Sequence, residues 1–207
     1  MRAWWRRNAR WLALMIPLLA LALAASSFRL VTLYLPWEWS RPTVANATSG
    51  TLRQDFTGFD GERWRREVRV EVLGLEQAAL FGDTKAAAGG VLWRVLLAFE
   101  ADPEQHLDGC EVELLDADGT RYDFRSGQEP AEEGGYFVPP VLVPCVPEEA
   151  PGPTLDPLSG ELTPSPVTRP RTWHERVLIA MPEEVAPAAL RIGWRRPEYL
   201  VLQLPTR

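Results

Sequence analysis

The sequence is poor in residues that mark many catalytic and nucleic-acid-binding proteins. It contains two cysteines, two histidines and, in Lys85, one lysine among 207 residues. Its first 30 residues contain no acidic side chain, whereas residues 31–207 carry 28 acidic and 17 basic side chains, a net charge of −11. A body with that charge repels phosphate backbones, so the composition argues against nucleic acid as a partner.

Motifs of common enzyme classes are also missing from the sequence. There is no Gly-rich phosphate loop, no His-Glu-x-x-His, no dinucleotide fingerprint and no Gly-x-Ser-x-Gly elbow. His106 and His174 stand far apart in the sequence. The paired acids lie in polar stretches, where nothing would raise a carboxyl pKa by burial; they are Glu132-Glu133, Glu148-Glu149 and Glu183-Glu184. We therefore predict no catalytic, cofactor or metal site, and keep a cell-envelope hydrolase as the alternative.

One long hydrophobic run is present near the N-terminus. Residues 11–28 contain no charge, and at ~1.5 Å per residue they reach about 27 Å, just under the ~30 Å hydrocarbon thickness of a bilayer. If Arg29 extends toward the headgroups, residues 11–35 form a predicted transmembrane anchor. Arginines precede the run and aromatic residues flank it, so the predicted membrane-interface residues are Arg6, Arg7, Arg10, Trp11, Trp37 and Trp39.

The arginines also predict the orientation of the chain. Residues 1–10 form a basic tail that is expected in the cytoplasm, and the C-terminal domain is expected outside it after a single pass. A cleavable signal peptide is the second interpretation, because Ala22-Leu23-Ala24 has the small-residue pattern of a cleavage site. The apolar stretch continues past that site to Leu35, which favours the uncleaved anchor. Cleavage near Ala24 would instead give a secreted soluble domain.

Short runs with period-two alternation, separated by turn residues, fill the rest of the chain. Residues 91–99 and 173–181 are two such runs, and Asp118-Gly119 is a strong hairpin signal between two others. No helical crossover is visible between them, so residues 66–205 are predicted to form an antiparallel β-sandwich. Residues 36–65 are polar and rich in turn formers, and are predicted to be a tether. A helical turn is expected within residues 76–90.

Two loops leave alternatives open. Eight prolines fall between Pro144 and Pro170, so residues 146–170 are predicted to be a long extended loop, either disordered or functional, with disorder favoured. Residues 116–123 (Asp-Ala-Asp-Gly-Thr-Arg-Tyr-Asp) superficially match a calcium loop but lack its closing glutamate. A tight turn is favoured there, because turns select Asp and Gly.

Both cysteines, Cys110 and Cys145, are expected on the exported side of the membrane. Two cysteines in an oxidising compartment most often pair. The bridge would close a loop of about 35 residues, which the chain-entropy model values at roughly 3–4 kcal/mol. Two free buried thiols are the alternative. Zinc is disfavoured because four ligands would require both distant histidines.

Taken in order, these elements resemble the membrane- or lipid-anchored, immunoglobulin-like extracytoplasmic domains of Gram-positive bacteria. After the anchor and spacer, the similarity lies in residues 91–99, in Leu114-Leu115-Asp116-Ala117-Asp118-Gly119-Thr120-Arg121-Tyr122, in residues 177–182 and in Leu190-Arg191-Ile192. It covers roughly residues 66–204, and the proline-rich stretch and the cysteine pair depart from it. The resemblance implies an all-β, immunoglobulin-like sandwich behind one transmembrane helix. It also implies a non-catalytic envelope module. From the anchor we predict that this module contacts the lipid bilayer and binds another envelope or membrane protein.

Overall fold

A computed structural model describes the chain except for residues 1, 58–60, 62, 108, 133–142, 144, 157–160 and 205–207. Glu133 and the middle of the proline-rich stretch therefore lie outside the described residues. The chain begins with helix α1 (Arg2–Arg29), which continues into a π-helical turn (Leu30–Tyr34) and a 3-10 turn (Leu35–Trp37). The described residues then form fourteen strands: β1 Arg41–Ala45, β2 Ser49–Thr57, β3 Arg63–Ala78, β4 Leu80–Phe81, β5 Thr84–Ala86, β6 Gly90–Ala101, β7 Glu111–Leu115, β8 Arg121–Asp123, β9 Gln128–Pro130, β10 Thr154–Leu155, β11 Leu162–Thr163, β12 Thr172–Pro182, β13 Ala189–Gly193 and β14 Glu198–Gln203.

Helix α1 and the two turns after it form one apolar segment. The stretch Arg6–Tyr34 is long and apolar enough to cross a membrane, by length and composition, as a signal sequence also would be. The helix begins at Arg2, so the basic tail predicted for residues 1–10 is a continuation of the helix. The structure thus confirms a helix of spanning length, and its role as an anchor stays a prediction.

Two sheets pack face to face as a β-sandwich. One has the strand order β12-β6-β3-β2, and the other has the order β1-β14-β13-β7-β8. Side chains alternate between the two faces of each strand, so every second residue reaches the core. The inward aliphatic residues are Leu52, Val68, Val70, Val95, Leu97 and Ile179 from the first sheet, and Val112, Leu114, Leu190, Ile192, Leu200 and Leu202 from the second. The predicted β-sandwich is confirmed at this level.

The hairpin predicted at Asp118-Gly119 is present between β7 and β8. The two strands pair antiparallel with Glu113 opposite Asp123, and Gly119 has a φ of 82°. Glycine adopts that left-handed backbone without the steric penalty of a Cβ, which is why this dipeptide specifies the turn.

The predicted tether over residues 36–65 is wrong. Two strands of the sandwich, β1 and β2, lie inside it, and Leu52 is fully buried in the core. The turn formers at residues 46–48 separate these strands. The period-two alternation of β2 is obscured in the sequence because its second inward position is the polar residue Gln54, 3% exposed.

One pair of strands is parallel, contrary to the expected all-antiparallel pairing. Strand β1 pairs parallel to β14, with Arg41 opposite Glu198 and Ala45 opposite Leu202. The chain enters β1 at the end of the sandwich where β14 also begins, so the two strands must run in the same direction.

The helical turn expected within residues 76–90 is also wrong. Strand β3 continues to Ala78, past a bulge between Val72 and Gly74, and β4 and β5 then form a hairpin around Gly82. Gly82 has a φ of 57°, a conformation that suits a tight turn rather than a helix.

The proline-rich stretch packs on the sandwich in its described parts, residues 145–156 and 161–170, contrary to the predicted disorder. Its anchor is Arg169, which is 1% exposed. The Arg169 guanidinium donates to the carbonyl oxygen of Pro151 at 2.9 Å and to those of Asp102 and Gln105 at 2.9 and 2.7 Å, and its Cζ lies 4.8 Å from the centre of the Trp173 ring. Prolines supply no backbone N–H, so regular strand pairing is not available to the carbonyls here. The guanidinium of one arginine supplies the donors instead.

The substitution Arg169→Ala tests this packing. It leaves three carbonyl oxygens without their donor and should lower the free energy of unfolding by about 3 kcal/mol, measured by urea denaturation of the full chain in detergent micelles. The matched control is Arg171→Ala, since Arg171 is exposed and two residues away. Equal stability of the two variants would show that the stretch adds nothing to the fold.

Candidate functional site

The predicted interface residues divide into two groups in the structure. Arg6, Arg7, Arg10 and Trp11 lie exposed on α1, and the Trp37 ring, directly after the helix, is 70% exposed. All five are placed where a bilayer surface could contact them. Trp39 is different, because it packs on the β-sandwich.

Trp39 lies across the outer face of the five-stranded sheet, and its role at the membrane interface stays a prediction. Its indole Nε1 donates to Glu111 Oε2 at 2.9 Å. A Cβ added to Gly193 would lie 2.6 Å from the Trp39 ring, so a glycine there allows the ring to approach the sheet. Trp39 also meets Tyr199 edge to face, with ring centres 6.1 Å apart. The ring is thus held against this face by a hydrogen bond and by ring contacts.

Arg191 lies beneath these rings, on strand β13. Its Cζ is 5.8 Å from the centre of the Trp39 ring and 5.2 Å from that of Tyr199. Its Nη2 pairs with Glu113 Oε2 at 2.6 Å, and the two side chains are 7% and 16% exposed. A desolvated guanidinium needs such a carboxylate and such ring faces to offset its lost hydration.

Arg196 connects the sheet to the end of the apolar segment. Its Nη1 donates to the Trp37 carbonyl oxygen at 3.0 Å, and its Nη2 lies 3.1 Å from Glu111 Oε1. The backbone repeats the link, because Ser40 and Arg41 both donate their N–H to the Pro197 carbonyl, at 3.1 and 3.0 Å.

We call the set Trp39, Glu111, Arg191, Arg196 and Tyr199 the junction cluster. It holds the residues immediately after the apolar segment against the sandwich by ion pairs, ring contacts and backbone hydrogen bonds together. A chain that is fixed at so many points cannot act as a loose tether. The arrangement can therefore fix the orientation of the sandwich relative to the helix.

The two histidines and the paired acids are not brought together into one site among the described residues. The His106 carbonyl accepts hydrogen bonds from the buried Arg66 at 3.1 and 3.2 Å, and His174 is exposed. Glu132, Glu148, Glu149, Glu183 and Glu184 are exposed. The described residues contain no group of three or more His, Cys, Asp or Glu side chains placed to hold a metal ion.

The calcium-like residues 116–123 form the hairpin turn. The Asp116 carboxylate accepts hydrogen bonds from the N–H groups of Asp118 at 2.9 Å and Thr120 at 2.8 Å. Desolvation raises the pKa of Asp116, but these hydrogen bonds and one from Tyr122 outweigh it and hold the pKa below its usual range. The carboxylate is thus engaged by its own turn.

Glu175 is an acid that the sequence did not single out. It lies between the buried Trp173 and Val177 on β12, the last strand of its sheet, and desolvation raises its pKa, which the neighbouring Arg176 opposes. A charge placed inward on an edge strand discourages pairing with a strand of another chain.

A cavity of about 400 Å³ opens at the end of the sandwich opposite the junction cluster. Arg121 pairs with Leu115 at that end, whereas Gly193 pairs with Glu111 at the other. The cavity is lined by Ala87, Ala88, Gly89, Gly90, Glu113, Arg121, Tyr122, Asp123, Ser126, Gly127, Ala180, Met181 and Pro182. We call the loops around it the distal loops, 87–90 and 121–127. A volume of this size lies within the range of small-ligand sites.

Comparison with known proteins assigns no family to this chain. No protein-family model matches the sequence, and no curated protein matches it. A solved structure that is similar is that of an uncharacterised β-sandwich protein from Clostridium difficile 630. It is 11% identical, the match covers 81% of this chain and 97% of that one, and the TM-score is 0.36.

The two cysteines lie at disulfide distance, as predicted. Their Cα atoms are 5.8 Å apart, and both residues are buried, at 1% and 0% exposure. Val143 and Cys110 exchange both backbone hydrogen bonds, at 3.0 and 3.1 Å, and this pairing brings Cys145 to the strand end. Trp173 Nε1 donates to the Cys145 carbonyl at 3.0 Å.

The predicted bridge is tested by counting thiols. The full chain, denatured without reductant, should expose no reactive thiol. The double substitution Cys110→Ser and Cys145→Ser should lower the free energy of unfolding by about 3–4 kcal/mol, because it frees a loop of 35 residues in the unfolded state. Two reactive thiols per chain would contradict the bridge.

Two neighbouring tryptophans test the junction cluster. Trp39→Ala removes a ring from above Arg191 and a donor from Glu111, and should lower the free energy of unfolding by about 3 kcal/mol. Trp37→Ala is the matched control, because the Trp37 ring is exposed and only its backbone carbonyl is bonded in the cluster. That control should change stability by less than about 0.5 kcal/mol in detergent micelles. Similar losses for both variants would contradict the docking of Trp39.

Proposed function

We propose that this protein is a membrane-anchored, extracytoplasmic module of the cell envelope, which acts by binding rather than by catalysis. The observation that carries the proposal is the junction cluster. It joins a helix of spanning length to a β-sandwich through Trp37, Trp39 and Arg196. Such a joint mounts a domain at a set orientation on a membrane surface.

The apolar side chains beyond Ala24 favour an anchor over a cleaved signal. Phe28, Leu30, Val31, Leu33 and Leu35 follow the cleavage position and are 39–69% exposed. Cleavage would leave them in water at the N-terminus of a soluble protein, whereas a bilayer covers them. The arginines before the run, in a segment without acids, support a cytoplasmic N-terminus.

The strand order supports an immunoglobulin-like sandwich. Strands β3, β6 and β12 are neighbours in one sheet, and β14, β13, β7 and β8 follow one another in the second. The chain passes between the sheets from β6 to β7, from β8 to β12 and from β12 to β13, and closes with the β13–β14 hairpin. Seven strands in two sheets with such crossings are typical of these domains. Strands β1 and β2 are then additions at the N-terminus.

The distal loops are the surface we assign to a partner in the envelope. They lie at the end of the sandwich farthest from the junction cluster, and therefore farthest from the proposed anchor. Loops on a rigid scaffold are where binding sites concentrate. An anchored module meets a neighbouring membrane protein at a high effective concentration, so a weak contact suffices.

The single lysine gives a direct test of this placement. A membrane-impermeant amine-reactive biotin reagent should label Lys85 in intact cells, because the body is outside, and the labelled chain should stay with membranes after an alkaline wash. Lys85→Arg, which keeps the charge, is the control for labelling at that site. Cross-linking through Ser126, in the distal loops, should yield one discrete envelope partner.

Three results would contradict the proposal. Labelling of Lys85 only after cell lysis would place the body inside the cell. A mature N-terminus at Ala25 would replace the anchor by a signal peptide. Turnover of a wall polymer by the purified chain would favour the hydrolase alternative.

A further inference from the structure

The end of the sandwich nearest the helix carries aromatic and arginine side chains that the junction cluster does not use. A groove of about 500 Å³ is lined there by Asp55, Phe56, Thr57, Arg63, Trp64 and Arg65. Arg63 and Arg65 lie two residues apart on β3, so they project from the same face of the sheet. Phe56 and Trp64 alternate with these positions and project from the opposite face, where their rings stack with centres 6.4 Å apart.

Short contacts connect this groove to the end of the apolar segment. Gln54 donates to the Arg195 carbonyl at 2.6 Å, and the Arg195 Cζ lies 4.9 Å from the centre of the Phe56 ring. The next residue, Arg196, bonds the carbonyl of Trp37. If the helix spans a bilayer, the groove therefore lies close to the headgroups of the lipids around it.

The charges of the groove suit a phosphate group. Arg63 is exposed and pairs with no carboxylate among the described residues, while Arg65 lies 3.7 Å from Glu67, which also pairs with Arg53. Asp55 lines the same groove, and Asp60 and Glu62 are outside the described residues. The site is thus a local pair of arginines among acids, not a broad basic surface.

We propose that this groove binds the phosphate of phospholipid headgroups, so that the sandwich contacts the bilayer at a second point beside its anchor. The inference rests on the proposed anchor. Arginine is suited to this ligand because its planar guanidinium donates two parallel hydrogen bonds to phosphate. Aromatic rings that are apolar at one edge and polar at the other, such as that of tryptophan, favour the depth of the lipid headgroups. Trp37, exposed at the end of the apolar segment, would lie at that level too.

The test uses the full chain in phosphatidylglycerol nanodiscs and in micelles of an uncharged maltoside detergent. Hydrogen–deuterium exchange of peptides that contain residues 55–57 and 63–66 should be about tenfold slower in nanodiscs. Arg63→Glu with Arg65→Glu should abolish that protection. The matched control is Arg121→Glu with Arg176→Glu, the same charge change at exposed arginines away from the groove, and it should leave the protection intact.

The outcomes separate this inference from the proposed anchor. If the chain does not float with vesicles, the anchor fails. If it floats but exchange in the groove is the same in nanodiscs and micelles, or if both double variants behave alike, headgroup binding is overturned while the anchor stands. Protection of the groove by millimolar glycerol phosphate in micelles, with no protection in nanodiscs, would overturn the lipid assignment in favour of a free phosphate ester. Raising the ionic strength to 1 M should weaken genuine headgroup protection.

Discussion

The connection between helix and sandwich depends on one desolvated cation, Arg191. Its guanidinium is stable in that position because Glu113 neutralises it and the Trp39 and Tyr199 rings cover it. These partners come from three distant parts of the chain, so the cation gathers them at one point. Removing one partner would leave a buried charge partly uncompensated, a state that is far more costly than an exposed ion pair. The segment that carries Trp39 is therefore held against the sandwich by this cation and its partners.

Buried arginines elsewhere in this fold satisfy polar groups that no strand pairs with. Arg169 bonds three carbonyls in and beside the proline-rich stretch, and Arg66 bonds the His106 carbonyl and the Gln54 side chain. In both places the backbone has carbonyls to satisfy and no strand to pair with them. A guanidinium presents five donors in a fixed plane, whereas a lysine presents a single charged point that is strongly hydrated. Buried arginines thus replace regular hydrogen bonding where the chain leaves its sheets.

A rigid joint changes what an anchored domain can do. A flexible tether would let the sandwich sample many orientations, and each partner would have to select among them. The junction cluster instead directs the distal loops away from the helix end and brings the groove at Arg63 and Arg65 toward it. In the proposed setting, one end of the sandwich is available to an envelope partner and the other lies against lipid. The division follows from the strand directions, which place the two loop sets at opposite ends.

The sequence by itself determined the apolar helix, the β-sandwich, the Asp118-Gly119 hairpin and the approach of the two cysteines. Each depends on local periodicity, on a turn dipeptide or on residue counts, and these signals do not require knowledge of distant contacts. Only the tertiary structure decided that residues 36–65 contain strands, that the proline-rich stretch packs on the sandwich and that Trp39 packs on the sheet. Strand β1 is mostly exposed and β2 has Gln54 in an inward position, so neither shows clear alternation; both are strands because β14 and β3 offer them edges to pair with. The prolines pack because Arg169, near the end of their stretch, reaches carbonyls 18 to 67 residues away. Trp39 packs on the sheet for the same physical reason: a buried arginine and a glycine, both more than 150 residues later, create a surface that its ring covers.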